Sequence, residues 1–295
     1  MLLIAGGRGD PDLEWLADAA AHRGLPYVMC YCNSRDGSSI EWDLQTNSLI
    51  VDGTVIPPDD ASLYIRYSMF DAYGEDSRDD CYALVESWYQ SVKGWAFANP
   101  LVGMFNRHAD VLGLNKPYNL SLARDSGFAV PETRILNHVD RVSDPENWII
   151  KVPGDGAETK PLDKVLRQGD LPRVFNARPW IIQRKLDYPE LRIFQVGKWQ
   201  FGFEITNDTL DSRTGGNLTL KEVPVPDDLS QAMKRLTSML KMDFAAADFK
   251  TCPDTGQFRF LEINSAPTFS GYDAKVNGRL SDAMILHLKK LAGPS

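Results

Sequence analysis

The segment from Met242 to Ala266 constrains the fold more than any other part of the sequence. It contains two apolar stretches, MDFAAADFK and FRFLEINSA, separated by the polar stretch TCPDTGQ. The four residues 253–256 (PDTG) have turn chemistry, so the flanks are predicted to form an antiparallel hairpin. If the turn centres near Thr255, Asp248 lies opposite Glu262, although a slip of one or two positions stays open. Asn264 then projects beside Glu262, because side chains two residues apart share a face of a strand.

The predicted hairpin therefore brings two carboxylates and an amide oxygen together in an apolar setting. Like charges that face each other on a sheet are destabilising, and a buried carboxylate is costly unless it is compensated. Oxygen ligands of this kind suit Mg²⁺, which fills its remaining positions with phosphate and water. The alternative is a solvated face that Arg259 or Lys250 neutralises. The hairpin alone leaves both interpretations open.

Several cationic side chains lie at positions where an anionic partner is expected. Lys151 interrupts the apolar strand WIIKV, and Arg192 lies in the strand ELRIF. Lys116 lies next to a helix start, where Asn115 can cap the helix. Each alone has a simpler explanation, namely snorkelling, an ion pair or a surface position. Together with the acidic set they form the arrangement that a nucleoside triphosphate with Mg²⁺ requires.

The rest of the chain is predicted to be α/β (α+β). A strand at Leu2–Ala5, a helix at Asp12–His22 and a strand at Tyr27–Cys32 favour a parallel sheet. Trp15, Trp88 and Trp95 are expected to belong to the core. Further strands are predicted at 63–67, 148–152, 180–183, 191–196 and 199–205, and further helices at 79–95, 115–127, 229–240 and 280–291.

Composition and missing motifs exclude several function classes. The formal net charge of the 295-residue chain is -8, which argues against a nucleic-acid partner. No run of about 18 apolar residues is present, so we expect no membrane partner. The N-terminus lacks signal-peptide features and four cysteines make no disulfide framework, so we expect a cytoplasmic protein. Gly7 and Gly9 do not complete a dinucleotide-binding motif, and no Walker A, H-E-x-x-H or G-x-S-x-G motif is present.

The order of the motifs resembles an ATP-grasp carboxylate-amine ligase, in the RimK-like and microviridin-type (graspetide macrocyclase) branch. The matching segments span about residues 113–291 and are NKPYNL with SGFAVPET, WIIKVPGDG, IIQRKLDYPELRIFQVGKW, and DFAAADFK followed by FLEINSAP. The resemblance implies an ATP-grasp fold with an N-terminal α/β substrate-side domain at 1–112, a central lid subdomain at 113–185 and a C-terminal subdomain with the metal site at 186–295. It implies ATP and two Mg²⁺ ions as cofactors.

The resemblance also implies roles for individual residues. Phosphate contacts would come from Lys116 and Lys151, and Glu190 would hold the ribose hydroxyls. The residues that would line the adenine are Gln183, Arg184 and Lys185, although position 184 is usually acidic in this branch. The residues that would face the γ-phosphate and the acyl phosphate are Arg192 and Arg213, and those that would bind Mg²⁺ are Asp248, Glu262 and Asn264.

The implied activity is ATP-dependent ligation. A substrate carboxylate would become an acylphosphate and then couple to an amine, with release of ADP and phosphate. The substrate would be an amino acid or a peptide, and Arg66 is our candidate for binding its carboxylate. The alternatives are a ribosomal-peptide macrocyclase that forms side-chain esters or amides, an ATP-grasp kinase, and an inactive nucleotide-binding regulator. A homo-oligomer is compatible with the resemblance.

Overall fold

The computed structural model describes residues 1–33, 35–67, 78–109, 115–154, 159–167, 177–206 and 219–293. Contacts divide the chain into two compact units. Unit 1 comprises Met1–Arg107 and Thr268–Ser295, and unit 2 comprises His108–Pro267. The division into three domains at 1–112, 113–185 and 186–295 stays a prediction. Among the described residues, no helix is long and apolar enough to cross a membrane.

Unit 1 contains a parallel sheet and a small antiparallel sheet. Its strands are β1 (Leu2–Gly7), β2 (Tyr27–Cys32), β3 (Ile40–Asp43), β4 (Ser48–Val51), β5 (Thr54–Ile56), β6 (Ser62–Ile65) and β7 (Gly103–Met104), and its helices are α1 (Pro11–His22), α2 (Arg78–Ala98), α6 (Ser270–Asp273) and α7 (Arg279–Leu291). The parallel sheet has the order β2-β1-β6-β7, and the antiparallel sheet has the order β3-β4-β5. The predicted parallel arrangement of β1 and β2 is confirmed.

The core of unit 1 lies between the parallel sheet and α2. Leu3 and Ala5 of β1 pack with Val92 and Trp95 of α2, all with no exposed surface. Trp88 is also buried, so two of the three tryptophans are core residues as predicted. Trp15 is 37% exposed, and its indole nitrogen donates to Asp273 Oδ2 over 2.8 Å. The core prediction for Trp15 is therefore wrong, because α1 turns this side chain toward a polar partner.

The C-terminal segment packs against the N-terminal strands and α1 within unit 1. Asp12 Oδ1 accepts hydrogen bonds from the backbone N–H groups of Phe269 (3.1 Å) and Ser270 (2.8 Å). The Ser62 hydroxyl donates to the Leu288 carbonyl over 3.2 Å. These bonds satisfy buried polar groups on both sides, which explains why α6 and α7 belong to unit 1.

Unit 2 is built around two antiparallel sheets. Its strands are β8 (Thr133–Leu136), β9 (Trp148–Lys151), β10 (Lys160–Pro161), β11 (Trp180–Arg184), β12 (Asp187–Val196), β13 (Trp199–Thr206), β14 (Thr219–Val223), β15 (Phe244–Thr251) and β16 (Phe258–Asn264), and its helices are α3 (Lys116–Asp125), α4 (Leu162–Arg167) and α5 (Asp227–Met239). The small sheet has the order β10-β9-β11-β8, and the large sheet has the order β14-β13-β12-β15-β16.

The large sheet buries one face against α3 and α5. Leu191 of β12, Ala247 of β15 and Phe260 of β16 pack there with Leu120 of α3 and Leu236 of α5. The side chain of Asn115 caps α3 by accepting from the backbone N–H of Tyr118, as predicted. Alternation along the strands leaves Arg192 of β12, Asp248 of β15 and Glu262 of β16 on the other face.

The small sheet also has two distinct faces. Trp148, Ile150 and Ile182 form a small core with α4 on one face. In the ladders, Gln183 is paired with Thr133 and Ile181 with Lys151. Directly paired residues share a face, so Thr133, Lys151 and Gln183 lie together on the face opposite this core.

Candidate active site

The hairpin of β15 and β16 places the two predicted carboxylates opposite each other. Asp248 pairs with Glu262 and Ala246 with Asn264, which confirms the predicted register. Beyond Asp248 the pairing changes, and Phe249 faces Phe260. Leu261 is thus the extra residue of a β-bulge, which separates the end of the hairpin that carries Asp248, Glu262 and Asn264 from its turn end.

Arg192 contacts Asp248 directly from the neighbouring strand. These residues are partners in the β12–β15 ladder. The guanidinium donates from Nε to Asp248 Oδ1 over 2.6 Å and from Nη2 to Oδ2 over 2.8 Å. Asn264 Nδ2 donates to the same Oδ2 over 3.4 Å. The charge of Asp248 is therefore balanced by a bidentate ion pair.

Two lysines balance the charge of Glu262. Lys116 Nζ lies 3.7 Å from Glu262 Oε2. Lys151 is only 7% exposed, and burial lowers its pKa to about 8, while nearby Glu262 raises this pKa and Lys116 lowers it. Lys116 comes from the first turn of α3, whereas Lys151 comes from the small sheet. The structure thus brings the predicted phosphate-binding and metal-binding residues together within unit 2.

The residues present fit a magnesium ion. Asp248, Glu262 and Asn264 can offer oxygen atoms as metal ligands. The side chains of Asp248 and Glu262 are 20% and 35% exposed. Mg²⁺ needs few protein ligands when phosphate and water complete its shell. Within the described ranges, no cluster of three or more His, Cys, Asp and Glu side chains offers another metal site. Lys250 pairs with Glu190 instead of neutralising this set.

Gln183 lies on the same face of the small sheet as Lys151. Its side chain has no exposed surface, and its Nε2 donates to the Thr133 hydroxyl over 3.0 Å. The geometry therefore places Gln183 on the same face as Lys151, and its predicted contact with the adenine stays a prediction. Sequence reasoning did not find Thr133, whose only signal is a β-branched residue in the extended segment VPET.

The side chains of Arg184 and Lys185 contact other groups of the small sheet and its surroundings, and their predicted contact with the adenine stays a prediction. Arg184 pairs with Trp148 in the ladder and its guanidinium lies 5.5 Å from the ring centroid of Trp148. Successive residues of a strand alternate in direction, so Arg184 lies on the opposite face from Gln183. Lys185 Nζ donates to the Glu146 carbonyl and lies 3.6 Å from Asp163 Oδ1.

Glu190 forms a cross-strand ion pair. Its Oε1 lies 2.9 Å from Nζ of Lys250, which also lies 4.5 Å from the ring centroid of Tyr188. Both charged side chains are about four-fifths buried, at 21% and 18% exposed. The carboxylate is held in one place by this ion pair, and its predicted contact with ribose stays a prediction.

The other two predicted residues are not part of this cluster. Arg213 lies outside the described residues. Arg66 belongs to unit 1, where its Nε lies 2.6 Å from Asp10 Oδ2 and its Nη1 lies 3.2 Å from Asp12 Oδ2. Its charge is already balanced by two buried carboxylates, so this geometry does not support the prediction that Arg66 binds a substrate carboxylate.

Comparison with known proteins identifies the fold. No protein-family model matches the sequence, and no curated protein matches it significantly. The ATP-grasp ligase PsnB complexed with a minimal precursor is 21% identical with a TM-score of 0.76, over 97% of this chain and 98% of that chain. Its complex with the precursor, Mg and ADP is 20% identical with a TM-score of 0.74, over 97% of both chains.

Two further structures are similar over the whole chain. The macrocyclase MdnC from Microcystis aeruginosa MRC, bound with the precursor peptide MdnA, is 17% identical with a TM-score of 0.76 and full coverage of both chains. The D-cycloserine synthetase DcsG is 12% identical with a TM-score of 0.62, over 98% of this chain and 100% of that chain. These matches confirm the predicted fold class: the chain has the ATP-grasp fold.

Proposed function

We propose that the protein is an ATP-dependent ligase that activates a carboxylate of a peptide as an acylphosphate and couples it to an amine or a hydroxyl group. The observation that carries this proposal is the convergence of three cations on two facing carboxylates. Lys116 and Lys151 lie near Glu262, and Arg192 forms an ion pair with Asp248. These cations would pair with the phosphate oxygens of a triphosphate, and the carboxylates would hold its Mg²⁺, so each charged side chain would keep a partner of opposite charge.

The residues of this cluster have separate roles in the proposal. Lys116 and Lys151 bind phosphate oxygens, and burial of Lys151 strengthens its attraction to an anion. Asp248, Glu262 and Asn264 hold Mg²⁺, which supplies neutralisation of the charge on the phosphates when it is bound. Arg192 would exchange Asp248 for the transferred phosphoryl group.

The chemistry consists of two displacements. A carboxylate oxygen of the substrate forms a bond to the γ-phosphorus while the bond between that phosphorus and the bridging oxygen of ADP breaks. The nucleophile, an amine or a hydroxyl, then attacks the acyl carbon, loses its proton, and phosphate leaves. Cationic side chains stabilise the charge that develops on the oxygens in both steps. No protein nucleophile is required.

A peptide substrate is favoured over a free amino acid. PsnB and MdnC are described with precursor peptides, and both have higher TM-scores with this chain than the D-cycloserine synthetase has. Formation of a side-chain ester or amide within a ribosomal precursor peptide is therefore the specific form of the proposal. Arg213, the second bound Mg²⁺ and a homo-oligomeric state remain predictions that the resemblance supplies.

The substitution Glu262→Gln tests the proposal. It removes one charge of the metal site without a change in side-chain size, so we expect loss of ATP-dependent phosphate release and unchanged folding. Glu204→Gln is the matched control. Glu204 is paired with Leu191, which packs in the core on the other face of the large sheet, so activity should be retained. Full activity of Glu262→Gln would contradict the proposal.

Product analysis separates the alternatives. The wild-type protein is incubated with ATP, Mg²⁺ and either pooled amino acids or candidate precursor peptides, and products are read by phosphate release and mass spectrometry. A ligase releases phosphate and yields a product that has lost water. A kinase yields a phosphorylated product without free phosphate, and a regulator yields neither. A condensed product from free amino acids alone would contradict the peptide assignment.

A further inference from the structure

A short hydrogen-bond chain fixes the orientation of the Gln183 side chain. The Thr133 hydroxyl donates to the Pro131 carbonyl over 2.9 Å. The same oxygen accepts from Gln183 Nε2 over 3.0 Å. A hydroxyl has one proton to donate, and here the Pro131 carbonyl takes it. Thr133 can therefore only accept from Gln183, which requires the nitrogen of the amide to face Thr133.

This orientation leaves an acceptor without a donor. Gln183 Oε1 is buried, and no group of the described residues donates to it. Leaving a buried acceptor unpaired costs free energy, so such an atom calls for an explanation such as a ligand. The opposite amide orientation would pair Oε1 only by withdrawing the Thr133 proton from Pro131. The structure thus holds the unpaired atom as an acceptor rather than a donor.

Gln183 Oε1 lies on the same face of the small sheet as Lys151, the proposed phosphate-binding lysine. Ile181 is the ladder partner of Lys151, and Gln183 follows two residues later on the same face, about 7 Å along the strand. Ile149, the ladder partner of Gln183, is partly exposed and provides apolar surface on that face, whereas Ile181 is fully buried. A flat apolar ring with a hydrogen-bond donor at its edge matches this surface, and its phosphates would extend toward Lys151.

We infer that Thr133 is a positioning residue that makes the site select a purine with a 6-amino group, by holding Gln183 Oε1 toward the nucleobase. The inference rests on the proposed use of ATP and concerns the choice of base. A 6-amino group donates to Oε1. A 6-oxo group is itself an acceptor and cannot donate to Gln183 Oε1. An unsubstituted carbon at position 6 also leaves Oε1 unpaired.

Binding of nucleoside diphosphates to the full chain tests this inference without turnover. ADP, inosine diphosphate and purine riboside diphosphate are titrated calorimetrically with Mg²⁺ present. We expect the wild-type protein to bind ADP at least about tenfold more tightly than either analogue, which is the cost of an unpaired buried acceptor. Equal binding of ADP and purine riboside diphosphate would overturn the inference, although ADP binding itself would still support the proposed function.

Substitutions at Thr133 distinguish positioning from a merely structural role. Thr133→Val removes both hydrogen bonds, so the amide is free to rotate and to present Nε2 to a 6-oxo group. We expect the preference for ADP over inosine diphosphate to fall several-fold in Thr133→Val and to return in Thr133→Ser. Gln183→Met, which has no amide, should also lose the preference and serves if Thr133→Val does not fold.

The control and the contrary outcomes are both read from the ratio of the affinities for ADP and inosine diphosphate. Thr237 is a buried threonine of α5 whose hydroxyl donates to the Met233 carbonyl over 2.9 Å, so Thr237→Val should keep the wild-type ratio. An unchanged ratio in Thr133→Val and in Gln183→Met would overturn the inference. Absence of binding by all three nucleotides in the wild-type protein would overturn the proposed function and the inference together.

Discussion

Arg192 and Asp248 face each other across β12 and β15 and form two contacts of 2.6 and 2.8 Å. The pair explains how the sheet tolerates two carboxylates in register, since Asp248 and Glu262 would otherwise repel each other. A metal ion bound by Asp248, as proposed, would compete with Arg192 for this carboxylate. The two residues are therefore coupled, and the consequences of breaking the pair depend on which partner is removed.

Asp248→Asn should lower the free energy of unfolding and abolish the effect of Mg²⁺ on ADP binding. The charge-assisted bonds are lost and Arg192 is left without its anion, at a cost of about 1–3 kcal/mol. Urea unfolding and calorimetric titration of ADP with and without Mg²⁺ are the measurements. The double variant Arg192→Gln with Asp248→Asn should regain part of the stability but no Mg²⁺ effect. A Mg²⁺ effect that survives in Asp248→Asn would show that this carboxylate is not a metal ligand.

Lys151→Met should stabilise the protein at pH 7, and this gain should disappear as the pH rises. Burial lowers the pKa of Lys151 from 10.5 to about 8, so the folded state loses this proton near pH 8 and the unfolded chain near pH 10.5. Below pH 8 both states are protonated, and the folded state bears the full cost of the buried charge. Between pH 8 and 10.5 the unfolded chain binds more protons, so this group makes the wild type more stable as the pH rises.

The expected gain in the free energy of unfolding of Lys151→Met at pH 7 is on the order of 3 kcal/mol. Urea unfolding of both proteins at pH 7 and pH 9.5, without metal or nucleotide, measures it. Lys234→Met is the control, because Lys234 is exposed on α5 and should show no such pH dependence. A gain of equal size at both pH values would mean that the effect comes from packing rather than from the charge.

The hairpin that carries the candidate metal ligands was predictable because its signals are local. The turn residues of Pro253-Asp254-Thr255-Gly256 and the strand period fix which side chains share a face, and Asp248 does lie opposite Glu262. The bulge at Leu261 was not predicted, since no residue type in FRFLEIN signals an extra position. The prediction of the register allowed for such a slip, and the predicted pairing is confirmed at Asp248 and Glu262.

Other features depend on contacts between distant residues and were missed. Arg184 lies on the face opposite Gln183 because β11 pairs Gln183 with Ile149 and Arg184 with Trp148, which strand periodicity implies only once the core face is known. Strands β4 and β5 were not predicted, although Asp52-Gly53 between them is a strong hairpin signal and both residues have positive φ, 48° and 78°.

Glu190→Gln should weaken ADP binding about tenfold and remove the preference for ADP over its 2′,3′-dideoxy analogue. The carboxylate of Glu190 is held by Lys250 at 2.9 Å and is the candidate acceptor for ribose hydroxyls. Hydrogen bonds to a charged acceptor are worth about 1.5–3 kcal/mol, so a neutral amide should lose most of this contribution. Competition against a fluorescent ADP analogue measures both affinities. Asp187→Asn, an exposed residue of the same strand, is the control. A dideoxy analogue that binds the wild type as well as ADP does would contradict the assignment.

Arg66→Met should destabilise unit 1 strongly, because Arg66 is the counter-charge of two buried carboxylates. Asp10 and Asp12 are 2% and 0% exposed, and Arg66 contacts both. Removal of one member of a buried ion pair typically costs about 3–5 kcal/mol, since the remaining charge is left uncompensated. Urea unfolding of the variant should show a decrease of that order.

Arg23→Met is the matched control for this substitution. Arg23 pairs with Asp282 within unit 1, but both side chains are about one-third or more exposed, at 32% and 42%. An exposed pair of this kind contributes about 0–1 kcal/mol, so the control should unfold almost as the wild type does. If Arg66→Met instead kept wild-type stability and raised the KM for the peptide alone, Arg66 would bind substrate as the sequence suggested, and its contacts with Asp10 and Asp12 would serve to orient it.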